Sequence, residues 1–205
     1  MNVEQVIFDV AAALRVPVLV LALAALAVVL VESGAFAVEV VRRRRRDTAR
    51  LERVAHTARS ALGEGDVPAA RRALLQVAWS GAMAATLELI AERAHAAGGA
   101  ERVAKALADF DFASLRRLER TRVLVRAGPA LGLMGTLIPL APALAGLAHG
   151  DVVQLSRNLR VAFSVTVLGL LVGAAAFGIS LVRDRLYGQD LSDLEFIVAT
   201  LEAPS

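Results

Sequence analysis

Residues 128–148 read GPALGLMGTLIPLAPALAGLA, 21 residues without a charge. A bilayer core about 30 Å thick needs roughly 20 apolar residues rising about 1.5 Å each. The stretch is therefore long enough to span as a helix. Its small residues also keep a pattern: Gly132, Gly135, Pro139, Pro142 and Gly146 recur at alternating steps of three and four, which is one face of a helix. Residues 161–182 repeat both properties. They carry no charge, and Thr166, Gly169, Gly173, Ala176 and Ser180 follow the same alternation, with Gly169 and Gly173 forming a GxxxG pair. Small residues on one face let helices approach closely where lipid supplies no hydrophobic drive for association. Gly132, Gly135, Gly169 and Gly173 are therefore helix-packing positions, and Leu at Gly135 or Gly169 is expected to disrupt the oligomer.

A third block lies upstream. Residues 16–41 are apolar apart from Glu32 and Glu39, and reach spanning length if Glu32 sits near one membrane face. A cleavable signal is disfavoured although Ala35-Phe36-Ala37 has the small-x-small form. Residues 1–14 contain no Lys or Arg, and Arg42–Arg46 follow the block at once. The 57% hydrophobic content is concentrated in these three blocks, which excludes a soluble globular enzyme.

Charge sets the orientation. Residues 42–126 carry 18 Lys/Arg against 10 Asp/Glu, whereas residues 183–205 carry two Arg against five acids. The basic excess lies in one inter-block segment, and the positive-inside rule places it in the cytoplasm. The N-terminus is then outside and the C-terminus inside. Arg183 and Arg185 agree with this; Arg157 and Arg160 oppose it weakly. No binding motif or aromatic interleaving supports a nucleic-acid partner.

The rest reads as helix. The expected architecture is an all-α membrane protein, three transmembrane helices with long cytoplasmic helical extensions. It comprises an outer amphipathic segment over 1–15, spans over 16–41, 128–148 and 161–182, a cytoplasmic helical region over 42–127, an outer loop over 149–160 and a cytoplasmic C-terminal helix over 183–205. Within the cytoplasmic region, residues 47–62 continue the first span until Gly63-Glu64-Gly65-Asp66 breaks it. Asp66 caps a helix with Pro68 in its first turn, running to about Ala97, where Gly98-Gly99 ends it. Another helix runs from about Glu101 towards the second span.

Chemistry is sparse. There is no cysteine, and His56, His95 and His149 are scattered, so no metal site, cofactor or catalytic residue is expected. The second and third spans hold no ionisable side chain, yet a proton path needs one within the membrane. Thr136 and Thr166 are the polar groups beside the small-residue faces. Each hydroxyl can return to a carbonyl one turn back or line a wet path. Counted from the block ends at 1.5 Å per residue, the two lie about 10 Å apart along the membrane normal. They would form two stations of a pathway. Glu39 is four residues before Arg43, an ion-pair spacing. Glu32 is a candidate proton exit or intersubunit polar contact.

Together these features resemble the MotA/TolQ/ExbB proton-channel family. Gly132-Leu-Met-Gly135-Thr136 is similar to that family's GLxGT, and Val165-Thr166-Val-Leu-Gly169-Leu170 to its ATAxGL. Leu186-Tyr187 through Asp193-Leu194-Glu195 looks like its post-span helix. The similarity is specific over residues 127–195 and loose over the first span. Val161 stands where the ExbB branch often has Glu, and Ala175 where it has Pro, which marks a divergent ExbB/TolQ-like branch. The resemblance implies a proton-channel, stator-like subunit of an ion-driven motor in a bacterial-type inner membrane. It implies a homopentamer around a dimer of a single-span ExbD/TolR/MotB-like partner, whose membrane Asp carries the proton that this chain's spans lack. A non-conducting membrane scaffold or assembly factor is the alternative; it would share the packing faces without needing the two threonines.

Overall fold

A computed structural model describes residues 2–43, 47–94, 96 and 98–203. These residues form helices and connecting turns, without strands: α1 Val3–Ala13, α2 Arg15–Arg43, α3 Thr48–Gly63, α4 Val67–Leu75, α5 Gly81–Arg93, α6 Gly99–Ala148 and α7 Val152–Glu202. Three helical runs are long and apolar enough to cross a membrane: Val3–Arg43, Gly99–Ala148 and Val152–Glu202. The all-α, three-span class read from the sequence is the class found.

The chain divides into two compact units. One comprises the residues through Phe36 together with Glu119–Leu181. Its core is formed by Val18, Ala25 and Val29 of α2, Leu124 and Leu131 of α6, and Val172 and Ala176 of α7. Leu21, Leu23, Leu133, Leu137, Phe163, Val167 and Leu171 stay exposed. An outward belt of this kind suits a helix surrounded by lipid rather than water. α1 and α2 are separated at Leu14. Pro17 has no N–H to offer the Ala13 carbonyl, which accounts for the interruption.

The other unit comprises Ala37–Leu118 and the chain from Val182. Here α3, α4, α5, the start of α6 and the end of α7 bury an apolar core that includes Leu62, Leu74, Met83, Leu87, Ile90, Phe110, Leu194 and Ile197. Asp66 caps α4 as expected, its Oδ1 accepting from the Ala69 N–H at 2.9 Å. Gly98 adopts φ +66°, the left-handed turn that precedes α6.

Three expectations are corrected. Residues 47–62 are not a continuation of the first span. Asp47 has extended backbone and caps a new helix, accepting from the Ala49 N–H at 3.0 Å; Arg44–Arg46 lie outside the described residues. The single helix expected from Asp66 to Ala97 is two. α4 stops at Leu75, and Ser80 starts α5 by accepting from the Met83 N–H at 3.1 Å. A side-chain cap outweighed the helical propensity of the Ala-rich sequence around it. Ala97 itself lies outside the described residues, as does His95. Finally, the stretch 149–160 is not mainly loop. The chain reverses over residues 149–151, with Gly150 at φ +77°, and α7 is already helical from Val152.

Candidate functional site

The early start of α7 sets the register of the α6–α7 hairpin, and glycines fix its depth of approach. A Cβ on Gly169 would lie 2.5 Å from the Gly128 carbonyl oxygen and 2.8 Å from Gly132 Cα. A Cβ on Gly132 would meet Thr166 Cα at 3.4 Å, and one on Gly173 would meet Pro129 Cδ at 2.8 Å. A Cβ on Gly135 would strike the Val165 side chain. The four packing glycines thus lie on contacts between two helices of the same chain.

This closeness brings the threonines to one level. Thr136 Oγ1 lies 3.4 Å from the Gly132 carbonyl oxygen and Thr166 Oγ1 lies 3.3 Å from the same oxygen. Their separation of about 10 Å along the normal, expected from the block ends, is wrong. The count treated 149–160 as a loop between flush ends, whereas the helix runs through most of it. In an antiparallel hairpin turning at residues 149–151, positions 136 and 166 sit at similar distances from the turn. Each hydroxyl also has a partner in its own helix: Thr136 donates to Leu133 O at 2.7 Å and Thr166 to Ala162 O at 3.1 Å. Both side chains are half-buried. The geometry provides two hydroxyls around one shared carbonyl, a polar spot in an apolar hairpin.

The first-block acids part company. Glu32 is half-buried on α2, in the same unit as the threonines. Glu39 belongs to the other unit and makes the expected pair with Arg43, at 3.2 Å. That pair is one link of a longer chain. Glu39 Oε2 also accepts from Arg183 Nε at 3.2 Å, and Arg43 Nη2 donates to Asp190 Oδ2 at 2.7 Å. The order Arg183–Glu39–Arg43–Asp190 alternates in sign and is almost wholly buried. The Arg43 guanidinium lies 3.7 Å from the centre of the Trp79 ring and 5.5 Å from that of Tyr187.

Burial pushes the Asp190 carboxyl up to about 7; Arg43 opposes the rise, while Asp193 and Glu39 add to it. Burial lowers Arg43 and raises Tyr187 from their ordinary values. Sequence reading found Glu39 and Arg43 but missed Asp190, Trp79 and Tyr187. A usable signal existed: Arg43 and Arg183 each follow an apolar block within two residues, so both fall at a membrane boundary where acids must answer them.

A family model described as the MotA/TolQ/ExbB proton channel family matches residues 78–189, more than half of the chain. Neither the curated proteins nor the solved structures yield a match. The matched residues run from the α4–α5 connection through α6 and into α7 as far as Gln189, and include both threonines, the packing glycines and Arg183.

Proposed function

The chain belongs to the MotA/TolQ/ExbB proton channel family, and from that premise we propose that it is the ring-forming, stator-like subunit of an ion-driven motor. Members of this family are multi-pass membrane proteins that act as channels and motors rather than enzymes, and membership implies partners of the ExbD, TolR and MotB type. The finer reading is ours: a homopentamer in a bacterial-type inner membrane, N-terminus outside and C-terminus cytoplasmic, surrounding a dimer of a single-span partner.

The observation that carries this reading is the convergence of the Thr136 and Thr166 hydroxyls on the Gly132 carbonyl in a hairpin otherwise lined by apolar and small residues. A proton path in lipid needs an ionisable carrier, and residues 128–148 and 161–182 contain none. The partner's membrane carboxyl supplies it. The hydroxyl oxygens, whose own protons go to Leu133 O and Ala162 O, then offer acceptors at one depth for the protonated carboxyl. The glycine seam keeps the wall smooth, so one ring can turn past the other. Each charge crossing releases about 2.3 kcal/mol per 100 mV, enough to bias a small step of rotation.

A second reading has its own support. Both hydroxyls have carbonyl partners in their own helices, the ordinary state of a structural intramembrane Thr. A non-conducting scaffold would need nothing more. Reconstitution of the chain with its single-span partner in vesicles, with internal pH followed under an imposed gradient, separates the two. Partner-dependent proton entry supports the channel; tight vesicles containing an assembled complex support the scaffold. Reporters fused at Gly65 and Gly150 should be cytoplasmic and external, respectively, and the reverse result at both sites overturns the orientation.

A further inference from the structure

Arg43 is an inner link of one network and the wall of something else. Beside it lies a cavity of about 540 Å³ lined by Arg42, Arg43, Arg50, Gln76 and Trp79, with short apolar residues completing it. No carboxylate among the described residues lines this cavity. Asp47 accepts from the Ala49 N–H at the start of α3 and, with Asp193, lines a smaller neighbouring cavity that shares Arg50 and Gln76. Glu39 and Asp190 both bind Arg43 through Nη2, which leaves its buried Nε and Nη1 without an acceptor. Buried donors are rarely left so. Arg42 and Arg50 are exposed and have no acidic partner among the described residues. Three arginines (42, 43 and 50) therefore line the cavity, and positive charge gathers along its wall.

The residue types narrow the ligand. All the cations lining the cavity are arginines, whose planar forks match tetrahedral and planar oxyanions with paired hydrogen bonds. Gln76 adds a neutral donor. The location narrows it further. The apolar block ends at Val41, one residue before Arg42, and the cavity carries the chain's one Trp. Trp and Arg together at the end of a span mark the headgroup level of a membrane, where the abundant oxyanion is phosphate. We propose that this cavity is a binding site for a phosphate-bearing anion, with Arg42 and Arg50 as its charged mouth and the stacked Arg43–Trp79 pair as its inner wall. The two sources of that chemistry are the headgroup of an anionic phospholipid and soluble phosphate. Neither the site nor its ligand depends on whether the spans conduct protons.

Trp79 makes the test direct, because it is the single tryptophan and lines the cavity. The full chain in non-ionic detergent is titrated with dihexanoyl phosphatidylglycerol, dihexanoyl phosphatidylcholine and inorganic phosphate while Trp79 emission is followed. The expected result is a saturable change with phosphatidylglycerol, weakened about tenfold in each of Arg42→Gln and Arg50→Gln. Both side chains are exposed, so these variants should keep the fold, which circular dichroism verifies. Saturation by inorganic phosphate with the same arginine dependence supports the site and assigns it to soluble phosphate. A phosphatidylcholine response equal to that of phosphatidylglycerol overturns the proposal. So does an absence of saturation with every probe, or a response unchanged in the double variant.

Discussion

The α6–α7 hairpin and the α3–α5 bundle are held together by opposite means. The hairpin uses absence: Gly128, Gly132, Gly169 and Gly173 remove side chains so that two backbones touch. The bundle uses bulk: Leu74, Met83, Leu87 and Ile90 are completely or almost completely buried, and a chain of buried charges stands beside them. The difference follows the solvent. In lipid, burying a leucine against another helix gains little, so close packing and hydrogen bonds carry association. In water, removing the same leucine from solvent stabilises by about 1.5–3 kcal/mol. One chain thus applies two packing rules within helices that run continuously for 50 and 51 residues.

The largest effect is expected where charge is buried. Arg43→Leu leaves Glu39 and Asp190 in apolar surroundings with one strong partner fewer, and should cost about 3–5 kcal/mol. Thermal melts of the purified chain should show it as a lower transition midpoint. A melt like that of the wild type would mean that the charge chain contributes no stability.

A smaller, graded effect belongs to the hairpin. Gly169→Ala pushes a methyl against backbone at 2.5 Å and should cost about 1–3 kcal/mol. Gly135→Ala strikes Val165, whose Cβ would lie 2.8 Å away and does not move with the rotamer, and should cost a similar amount. Gly178→Ala meets nothing within 4 Å and should be neutral or stabilising by up to about 1 kcal/mol. An effect at Gly178 equal to those at Gly169 and Gly135 would break the assignment of packing to close helix approach.

The smallest effect concerns pH. Asp190 has a folded-state value of about 7 against an ordinary 3.8, so the folded protein holds this proton more tightly than the unfolded chain. The contribution is fully present below about pH 4 and is lost as the pH rises through about 7. Asp190→Asn should therefore flatten the decline in melting temperature over that window, with Arg43, Glu39 and Asp193 left in place. An unchanged slope would place the titration elsewhere.

The residue pattern revealed the spans because length and hydropathy are local properties, and the seam because a period of three and four survives in any helical packing. It revealed Asp66 as a cap for the same reason. It misread the break between Leu75 and Ser80, where one serine side chain decides against a run of good helix formers. It misjudged the threonine depths because register is set by the turn at 149–151, and a block boundary in hydropathy is not a helix boundary. Asp190 and Trp79 were missed because they are remote in sequence from Arg43 and come together only through tertiary packing. Their charge and aromaticity, taken alone, suggest a solvated face.

The central claim is that the shared polar spot at Gly132 lies on a proton path. Its most direct test is proton flux in vesicles holding the chain with its single-span partner, comparing wild type with Thr136→Val and Thr166→Val. Valine keeps the shape and removes the hydroxyl, so both variants should still assemble and bind the partner. The account predicts that each loses most of the partner-dependent flux. Full flux in both variants, with assembly intact, would contradict it.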